Sequence, residues 1–321
     1  MKILVTGSAG FIGFHLCLYI LKNSDKKIKL IGIDNINNYY DVDLKKKRLS
    51  ILKKYNNFNF HKIDIANYNK LQNIFDKYKV TYVINLAAQA GVRYSIENSK
   101  AYFNSNLLGF FNILELCKNY KIKHLITAST SSVYGNKNVF PIKEEDNTNK
   151  PLSFYAATKK SNEVMAYSYS NIFKLPITCL RFFTVYGPYG RPDMFLYKYV
   201  EAIKLNKIIK LHNSGNHVRD FTYVADVIKS IYLLIKKIPK RKENYQILNI
   251  GNGKPILLKE FIKEIDKNLK KKPKIKKVKL QKGDVFKTHA NINKLKKLIK
   301  FKPNTNHKKG IKNFVDWYEK K

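Results

Sequence analysis

Hydrophobic positions along the chain follow two alternating patterns, short runs rich in β-branched residues and longer runs with the spacing of a helix. The short runs predict strands at residues 2–5, 28–33, 58–63, 82–86, 124–128 and 177–182. The longer runs predict a first helix that ends near Leu21 and further helices at residues 43–54, 68–78, 99–119 and 153–173. Regular strand–helix alternation of this kind builds a parallel sheet that is covered by helices on both faces.

The rhythm changes after Gly187, where prolines and glycines divide the chain into shorter elements. Residues 228–235 have the apolar spacing of a helix, and residues 246–250 have the pattern of a strand. We therefore predict an α/β protein with a doubly wound parallel sheet of the Rossmann type in residues 1–187. Residues 188–321 are expected to form mainly a smaller mixed lobe, from which some segments return to the main sheet.

Composition removes several classes of protein from consideration. The chain has 321 residues, of which 44% are hydrophobic, so it is not a disordered protein. No apolar run reaches the roughly 18 residues that a membrane-spanning helix needs. The net charge of +39 would suit a nucleic-acid partner, but only six of the 62 basic residues are arginine and the lysines are dispersed. We therefore expect a solvated cationic surface, with no nucleic-acid partner and no membrane partner.

The cysteines and histidines point to neither disulfides nor a metal site. Cys17, Cys117 and Cys179 lie in apolar segments, which predicts free thiols in a reducing compartment, and we expect a cytoplasmic protein. The seven histidines lack the spacing of metal ligands, and no metal is predicted.

Three glycines follow the first predicted strand at the spacing of a dinucleotide-binding turn. Gly7 allows the tight turn, Gly10 lets the backbone approach a pyrophosphate, and Gly13 lets helix and strand pack closely. Asp34 ends the second strand, where a carboxylate can hold both hydroxyls of a ribose and repels a 2′-phosphate. This combination predicts NAD as the cofactor in preference to NADP.

Tyr155 and Lys159 lie four residues apart in a predicted helix, so their side chains share one face. A lysine ammonium, or a positively charged nicotinamide ring, lowers the pKa of a nearby phenol and makes it a better general base. Hydroxyl side chains in residues 129–132 follow a predicted strand and can bond the same reacting oxygen. The pattern predicts proton transfer by Tyr155.

These motifs, in this order and over essentially the whole chain, resemble the extended short-chain dehydrogenase/reductase family, which includes sugar-nucleotide epimerases and dehydratases. The matching stretches also include residues 85–88, 130–135 and 219–224. The resemblance implies a Rossmann-type NAD domain followed by a smaller lobe that binds a sugar nucleotide.

The resemblance also implies the roles of individual residues. The catalytic residues are Tyr155, Lys159 and Thr130, of which Thr130 would bond O4 of the sugar. The residues implied to bind or brace the cofactor are Gly7, Gly10, Phe11, Ile12, Gly13, Asp34, Asn35, Asp64, Ile65, Leu86, Ala87, Ala88, Gln89, Asn106, Tyr155 and Lys159. The residues implied to bind the substrate are Arg93, Ser131, Ser132, Thr184, Arg191, Arg219 and Asp284.

Within the family, residues 34–41, 88–95 and 181–194 are similar to UDP-glucuronate 4-epimerases. Two alternatives of the same fold are an epimerase of the UDP-glucose or UDP-N-acetylglucosamine type and a UDP-glucuronate decarboxylase. UDP-glucose 4-epimerases usually have asparagine at the position of Thr184, and decarboxylases usually have glutamate at that of Ser132. Both differences favour the uronate epimerase.

The mechanism that the resemblance implies is a reversible oxidation at C4 of the sugar. Tyr155 takes the O4 proton while a hydride passes to NAD, and the 4-keto sugar turns before the hydride returns to its other face. With a uronate, this intermediate is a β-keto acid that loses CO2 readily. We expect Arg191 to hold the carboxylate, because a guanidinium fork binds it bidentately where a lysine cannot.

The family pairs two of its helices with a second copy, so a homodimer is expected. The product would be galacturonate for a surface polysaccharide. A rival of another class is a basic binding protein that has kept the fold without the reaction. The intact Tyr155, Lys159 and Thr130 favour the enzyme.

Overall fold

The computed structural model describes residues 1–24, 27–240, 243–279 and 284–321. Its strands are β1 (Lys2–Thr6), β2 (Lys29–Asp34), β3 (Phe58–Lys62), β4 (Tyr82–Asn85), β5 (His124–Thr130), β6 (Ile177–Phe182), β7 (Thr184–Tyr186), β8 (Ile208–His212), β9 (Val218–Arg219), β10 (Phe221–Tyr223), β11 (Tyr245–Ile250), β12 (Ile256–Leu257) and β13 (Lys274–Val278). Its α-helices are α1 (Phe11–Asn23), α2 (Val42–Leu52), α3 (Tyr68–Tyr78), α4 (Tyr94–Glu97), α5 (Ser99–Tyr102), α6 (Gly109–Asn119), α7 (Phe154–Phe173), α8 (Phe195–Lys204), α9 (Val224–Leu234), α10 (Leu258–Leu269), α11 (Asn293–Ile299) and α12 (His307–Glu319).

Seven strands form the central sheet in the order β11-β6-β5-β4-β1-β2-β3, and every neighbouring pair is parallel. Residues of β1 pair with β2 on one side and with β4 on the other, so the strand order reverses at β1. A crevice opens at the carboxyl ends of strands at such a reversal, and ligands of doubly wound sheets bind there. The predicted fold class is confirmed.

Helices cover both faces of this sheet because its strands are apolar on both sides. One core joins α1 and α9 to the sheet and includes Phe14 and Ile231. The opposite core joins α3, α6 and α7 to the sheet and includes Phe75 and Phe110. Continuous apolar strands such as β1 therefore meet helices on either face, as a parallel sheet requires.

The predicted single helix at 99–119 is divided in three. An α-helical turn, α5, leads into a π-helix at Phe103–Leu108, and α6 completes the segment. A π-helix carries one extra residue per turn and changes which side chains face inward. The apolar periodicity could not reveal this change, since both kinds of helix keep the segment helical.

The chain after Gly187 builds a second core and also returns to the first. Tyr199, Phe261 and Phe314 belong to the separate core of the smaller lobe, where the rings of Phe221 and Phe261 stack with centroids 4.0 Å apart. Strand β11 pairs with β6 in the central sheet, and α9 packs beside α1. Within the described ranges, no helix is both long and apolar enough to cross a bilayer.

Candidate active site

A cavity of about 730 Å³ opens at the carboxyl ends of the central strands and extends under the smaller lobe. It brings together side chains or backbone from every part of the predicted site except Asn106. The predicted residues that line it are Gly7, Gly10, Phe11, Ile12, Gly13, Asp34, Asn35, Asp64, Ile65, Leu86, Ala87, Ala88, Gln89, Arg93, Thr130, Ser131, Ser132, Tyr155, Lys159, Thr184, Arg191, Arg219 and Asp284.

The glycine-rich turn between β1 and α1 forms one wall of the cavity. Gly7 has a φ of +69°, and a Cβ on Gly13 would lie 2.0 Å from the carbonyl oxygen of Gly7. Helix α1 begins at Phe11 without a side-chain cap on its first N–H groups. Free N–H groups at a helix N-terminus bind phosphate, so the turn fits the pyrophosphate of a dinucleotide.

Asp34 lies beside this turn and is buried. Its carboxylate accepts hydrogen bonds from the backbone N–H groups of Ala9, at 3.1 Å, and Ile36, at 2.9 Å. Burial raises the pKa of Asp34, and these N–H groups together with the charges of Lys45 and Arg48 oppose that rise. These two hydrogen bonds hold the carboxylate in place. A ribose hydroxyl in the cavity could donate a further hydrogen bond to it.

Two cations near Asp34 were not predicted from the sequence. Lys45 is buried and donates to the carbonyl and side-chain oxygens of Asn37. Arg48 is fully buried and donates to the carbonyl oxygens of Ala9 and Tyr189. Both residues lie in a run of basic residues on α2, so nothing in the sequence separates them from solvated neighbours.

Three residues that the resemblance implies to bind the cofactor, Asn35, Asp64 and Ile65, meet at the ends of β2 and β3. The Asn35 amide donates to the Asp64 carboxylate at 2.8 Å. Ile65 is buried, and its carbonyl oxygen accepts from the amide of Asn112 at 2.9 Å. At this end of the cavity, the bond between Asn35 and Asp64 fixes a polar side, and the bond from Asn112 to the backbone of Ile65 fixes an apolar side.

Asn106 does not line the cavity and instead supports the backbone of Gln89, which does. Its amide donates to the carbonyl oxygen of Gln89 at 3.1 Å and to Thr158 at 3.0 Å, and it accepts from the N–H of Gln89 at 2.8 Å. Asn106 lies in the π-helix at Phe103–Leu108 and is buried. It therefore braces the segment after β4 and supports the cavity through Gln89.

Tyr155 lies in the first turn of α7, which Ser153 caps by accepting from the N–H of Ala156 at 3.1 Å. Burial raises the pKa of Tyr155, while a hydrogen bond with Thr130 and the positive charge of Arg191 act in the opposite direction. Thr130 in turn donates to the hydroxyl of Ser132 at 3.2 Å. The hydroxyls of Tyr155, Thr130 and Ser132 thus line one side of the cavity together.

Lys159, which is predicted to favour ionisation of the Tyr155 phenol, has a partner that the sequence did not reveal. Its ammonium is buried and donates to the amide oxygen of Asn162 at 3.2 Å. The Asn162 amide donates in turn to the carbonyl oxygen of Asn106 at 2.7 Å. Burial lowers the pKa of Lys159 to about 8. The sequence did not reveal Asn162, because one asparagine on a polar helix carries no distinctive pattern.

The sugar end of the cavity carries two arginines that are each paired with an aspartate. Arg191 bonds Asp193 through Nε and Nη2, and Arg219 donates from Nη2 to Asp284 at 2.7 Å. Arg93 is exposed at the rim. Asp193 was not predicted as a site residue, although it lies in the same stretch as Arg191. Two predicted substrate residues, Arg219 and Asp284, therefore bind each other.

His217 is a further residue that the sequence did not reveal. Its side chain is buried against the cavity, and its Nδ1 has no hydrogen-bond partner among the described residues. Burial lowers its pKa to about 4, so the ring is neutral near pH 7. A neutral imidazole offers one donor and one acceptor to a polar ligand. No group of three or more metal-ligating side chains occurs in the part of the chain that the structure describes.

This arrangement can hold a dinucleotide and an anionic sugar end to end, with a phenol where they meet. A family model described as GDP-mannose 4,6 dehydratase matches residues 4–314. Protein CapI of Staphylococcus aureus is 47% identical over 332 residues, which cover 99% of this chain and 98% of that protein. The UDP-glucuronate 4-epimerase of Thermodesulfobacterium geofontis is 42% identical over 315 residues, which cover 98% of this chain and 95% of the relative.

A solved structure is similar over the same length. The UDP-glucuronic acid 4-epimerase from Bacillus cereus, in complex with UDP-glucuronic acid and NAD, has a TM-score of 0.93 and 33% identity. The match covers 100% of this chain and 99% of that one.

Proposed function

The chain belongs to the GDP-mannose 4,6 dehydratase family of extended short-chain dehydrogenases/reductases, and we propose that it is an NAD-dependent isomerase that interconverts UDP-glucuronate and UDP-galacturonate. The observation that carries the proposal is that one cavity combines Tyr155, beside Thr130, with the guanidinium of Arg191. The phenol suits proton exchange with a sugar hydroxyl, and the guanidinium suits a carboxylate on the same sugar.

The chain's own residues fit NAD. The turn at Gly7 has no room for a side chain, since a Cβ there would lie 2.8 Å from the backbone nitrogen of Ala87. Asp34 presents a fixed carboxylate to a ribose, and the uncapped start of α1 presents N–H groups to a pyrophosphate. Bound NAD supplies the oxidation of C4 and its reversal, so that the cycle has no net redox change.

Tyr155 removes the proton from O4 in the forward step and returns it in the reverse step. Thr130 stands beside it, and its bond to Ser132 orients the Thr130 hydroxyl. Lys159, held by Asn162, contributes positive charge behind the phenol and favours its ionised form. Tyr155 is half-buried and lines the cavity.

The same cavity disfavours the two alternatives of this fold. A decarboxylase of the expected pattern has an acid at the position of Ser132, and this chain has a hydroxyl there. An epimerase for neutral sugars has no use for Arg191, whose side chain is about four-fifths buried at the sugar end. Both observations favour a substrate that carries a carboxylate.

The test is an NMR time course of the purified protein with UDP-glucuronate and no added cofactor. We expect UDP-galacturonate to appear until both sugars reach equilibrium, because NAD stays bound through each cycle. UDP-pentose with release of CO2 would identify a decarboxylase. No reaction, repeated after addition of NAD, would refute a uronate substrate.

We also propose a homodimer, formed by α6 and α7. These helices pack side by side, and they expose the large apolar residues Phe111, Val164, Tyr167 and Ile172. A contiguous exposed apolar patch indicates an interaction surface. Light scattering is expected to give twice the 37.5 kDa of one chain, and Val164→Glu to give a monomer. The control is Val139→Glu, an exposed apolar residue outside these helices; a monomeric native protein would contradict the proposal.

We propose that the protein acts in the cytoplasm. Its product would supply galacturonate for a surface polysaccharide. The three cysteines support a reducing compartment, because all are buried and unpaired. Loss of uronate from the surface polysaccharide on deletion of the gene is the expected result, and an unchanged polysaccharide would contradict this role.

A further inference from the structure

The guanidinium of Arg191, proposed above to hold the substrate carboxylate, is already paired with a carboxylate of the chain. Its Nε donates to Oδ1 of Asp193 at 2.9 Å, and its Nη2 donates to Oδ2. The N–H of Met194 donates to the carbonyl oxygen of Arg191 at 3.1 Å and closes a turn over residues 191–194. This turn brings Asp193 next to the arginine two positions before it.

Asp193 is held from a second direction by Tyr39. The Tyr39 hydroxyl donates to Oδ2 of Asp193 at 3.2 Å, across 154 residues of sequence. Burial and the charge of Asp193 raise the pKa of Tyr39 to about 12, so the hydroxyl remains a donor near neutral pH. Tyr39 lies five residues after Asp34, in the loop that follows β2. Asp193 is therefore fixed between the loops of the two halves of the cavity.

The pairing leaves one edge of the guanidinium open. A guanidinium has five N–H donors, and Asp193 occupies two of them, on the edge formed by Nε and Nη2. The edge formed by Nη1 and Nη2 retains donors for a second carboxylate. Both side chains line the cavity, with 20% of Arg191 and 24% of Asp193 exposed.

We propose that Asp193, held by Tyr39, is a positioning residue of the reaction that keeps Arg191 oriented and paired while the substrate carboxylate docks on the open edge and leaves it again. This inference rests on the proposed function. The 4-keto sugar must present both faces in turn, so its carboxylate cannot keep one position. A buried guanidinium that lost its only carboxylate would be left unpaired at a high cost in free energy. Asp193 removes that cost and lets the sugar turn.

The fixed guanidinium also opposes decarboxylation. In that side reaction the bond between C5 and C6 breaks, CO2 leaves, and the electron pair passes to the 4-keto oxygen as an enolate before C5 takes a proton. The bond breaks readily only when it aligns with the π system of the carbonyl group. An arginine held in one plane keeps the carboxylate out of that alignment, whereas a mobile arginine follows the carboxylate into it.

The experiment compares Asp193→Asn and Tyr39→Phe with matched controls. The structure offers the controls in the pair of Tyr199 and Asp266, whose hydroxyl and carboxylate lie 2.9 Å apart in the smaller lobe and do not line the cavity. Asp266→Asn and Tyr199→Phe make the same chemical changes without touching Arg191. Each holoenzyme is incubated with UDP-glucuronate, and both products, kcat and KM are measured.

Asp193→Asn is expected to raise the share of UDP-pentose among the products about tenfold and to lower kcat about tenfold, because it removes one charge-assisted pair. The KM for UDP-glucuronate is expected not to rise, since the open edge and the charge of Arg191 persist. Tyr39→Phe is expected to change the same quantities in the same direction by a smaller factor. The controls are expected to keep native values, and all variants to keep bound NAD.

Native product ratio and kcat in Asp193→Asn would overturn this inference while leaving the proposed function intact. An equal weakening of UDP-glucuronate and of UDP alone would also overturn it, because general loosening of the lobe affects both. If the native enzyme leaves UDP-glucuronate unchanged, the proposed function fails, and this inference fails with it.

Discussion

The two ends of the cavity are held by different kinds of interaction. At the cofactor end, side chains are bonded to backbone groups: Thr6 accepts from two N–H groups after β4, Asn106 braces Gln89, and Asp34 accepts from the N–H of Ala9. At the sugar end, the chain pairs opposite charges, Arg191 with Asp193 and Arg219 with Asp284. The first end is built on the central sheet, and the second is built on the part of the chain after Gly187, where Arg219 lies in β9.

The difference matches what each ligand must do. A cofactor that stays bound through every cycle is best held by a site that does not move, and sheet-anchored backbone supplies it. A sugar that turns during the reaction must exchange its contacts, and a paired arginine can accept and release a carboxylate without being left unpaired. Substitutions at the two ends can test these roles independently, from the largest expected effect to the smallest.

Tyr155→Phe removes the group that lies where the two ends meet. We expect turnover to fall about a thousandfold, because a positioned general base contributes on the order of that factor. The NAD content of the purified protein is expected to stay native, since the other residues implied to bind the cofactor are unchanged. An NMR rate with UDP-glucuronate and the absorbance of extracted NAD measure the two quantities. The control is Tyr120→Phe, a surface tyrosine bonded to Asp76; comparable activity in both variants would contradict the assignment.

Asp34→Ala tests the cofactor end alone. We expect the affinity for NAD to fall about a hundredfold as the ribose loses a fixed carboxylate, while the affinity for UDP stays native. The preference for NAD over NADP is also expected to decrease, because Lys45 and Arg48 remain nearby and favour the 2′-phosphate of NADP. Calorimetric titrations with NAD, NADP and UDP check this, with Asp43→Ala as the control, since Asp43 is exposed, pairs with Lys46 and does not line the cavity. Native affinity for NAD would exclude Asp34 from the ribose site.

Arg219→Ala tests the sugar end alone. The family resemblance implies that Arg219 contacts the pyrophosphate of UDP. Loss of its guanidinium is therefore expected to weaken UDP binding about tenfold and to leave NAD content unchanged. Asp284→Asn removes the partner and keeps the cation, so we expect it to weaken UDP binding less. Titration with UDP distinguishes the two variants. If Arg219→Ala and Asp284→Asn weaken UDP binding equally, the ion pair has a structural role in the site and Arg219 does not contact the diphosphate.

Asn162→Ala is expected to have the smallest effect, a loss of kcat of about threefold at pH 7, since one hydrogen bond to a charged group is removed. Lys159 loses the oxygen that accepts from its ammonium, so its pKa, already lowered to about 8 by burial, is expected to fall further. More of the lysine is then neutral as the pH rises, and the variant is expected to lose a growing share of native activity between pH 7 and 9. A pH–rate profile parallel to that of the native enzyme would contradict this link.

Much of the cofactor end could be predicted from the sequence, because its signals are local. A strand, a turn at Gly7 and a helix from Phe11 require particular residues within a few positions of one another. The same holds for Tyr155 and Lys159 on one helix face. The supports behind it are less local: Asn106 was expected from the resemblance as a brace, whereas Asn162, which bonds Lys159, has no distinctive pattern in the sequence.

The sequence by itself therefore determined the fold class, the order of the elements and the types of residue that the chemistry needs. Only the tertiary structure decided which charge meets which. It brings Tyr39 to Asp193 and Arg219 to Asp284, and it buries Lys45 in a run of otherwise solvated lysines. Local spacing fixes turns and helix faces, whereas the partner of a charge depends on loops that only the packed sheet brings together.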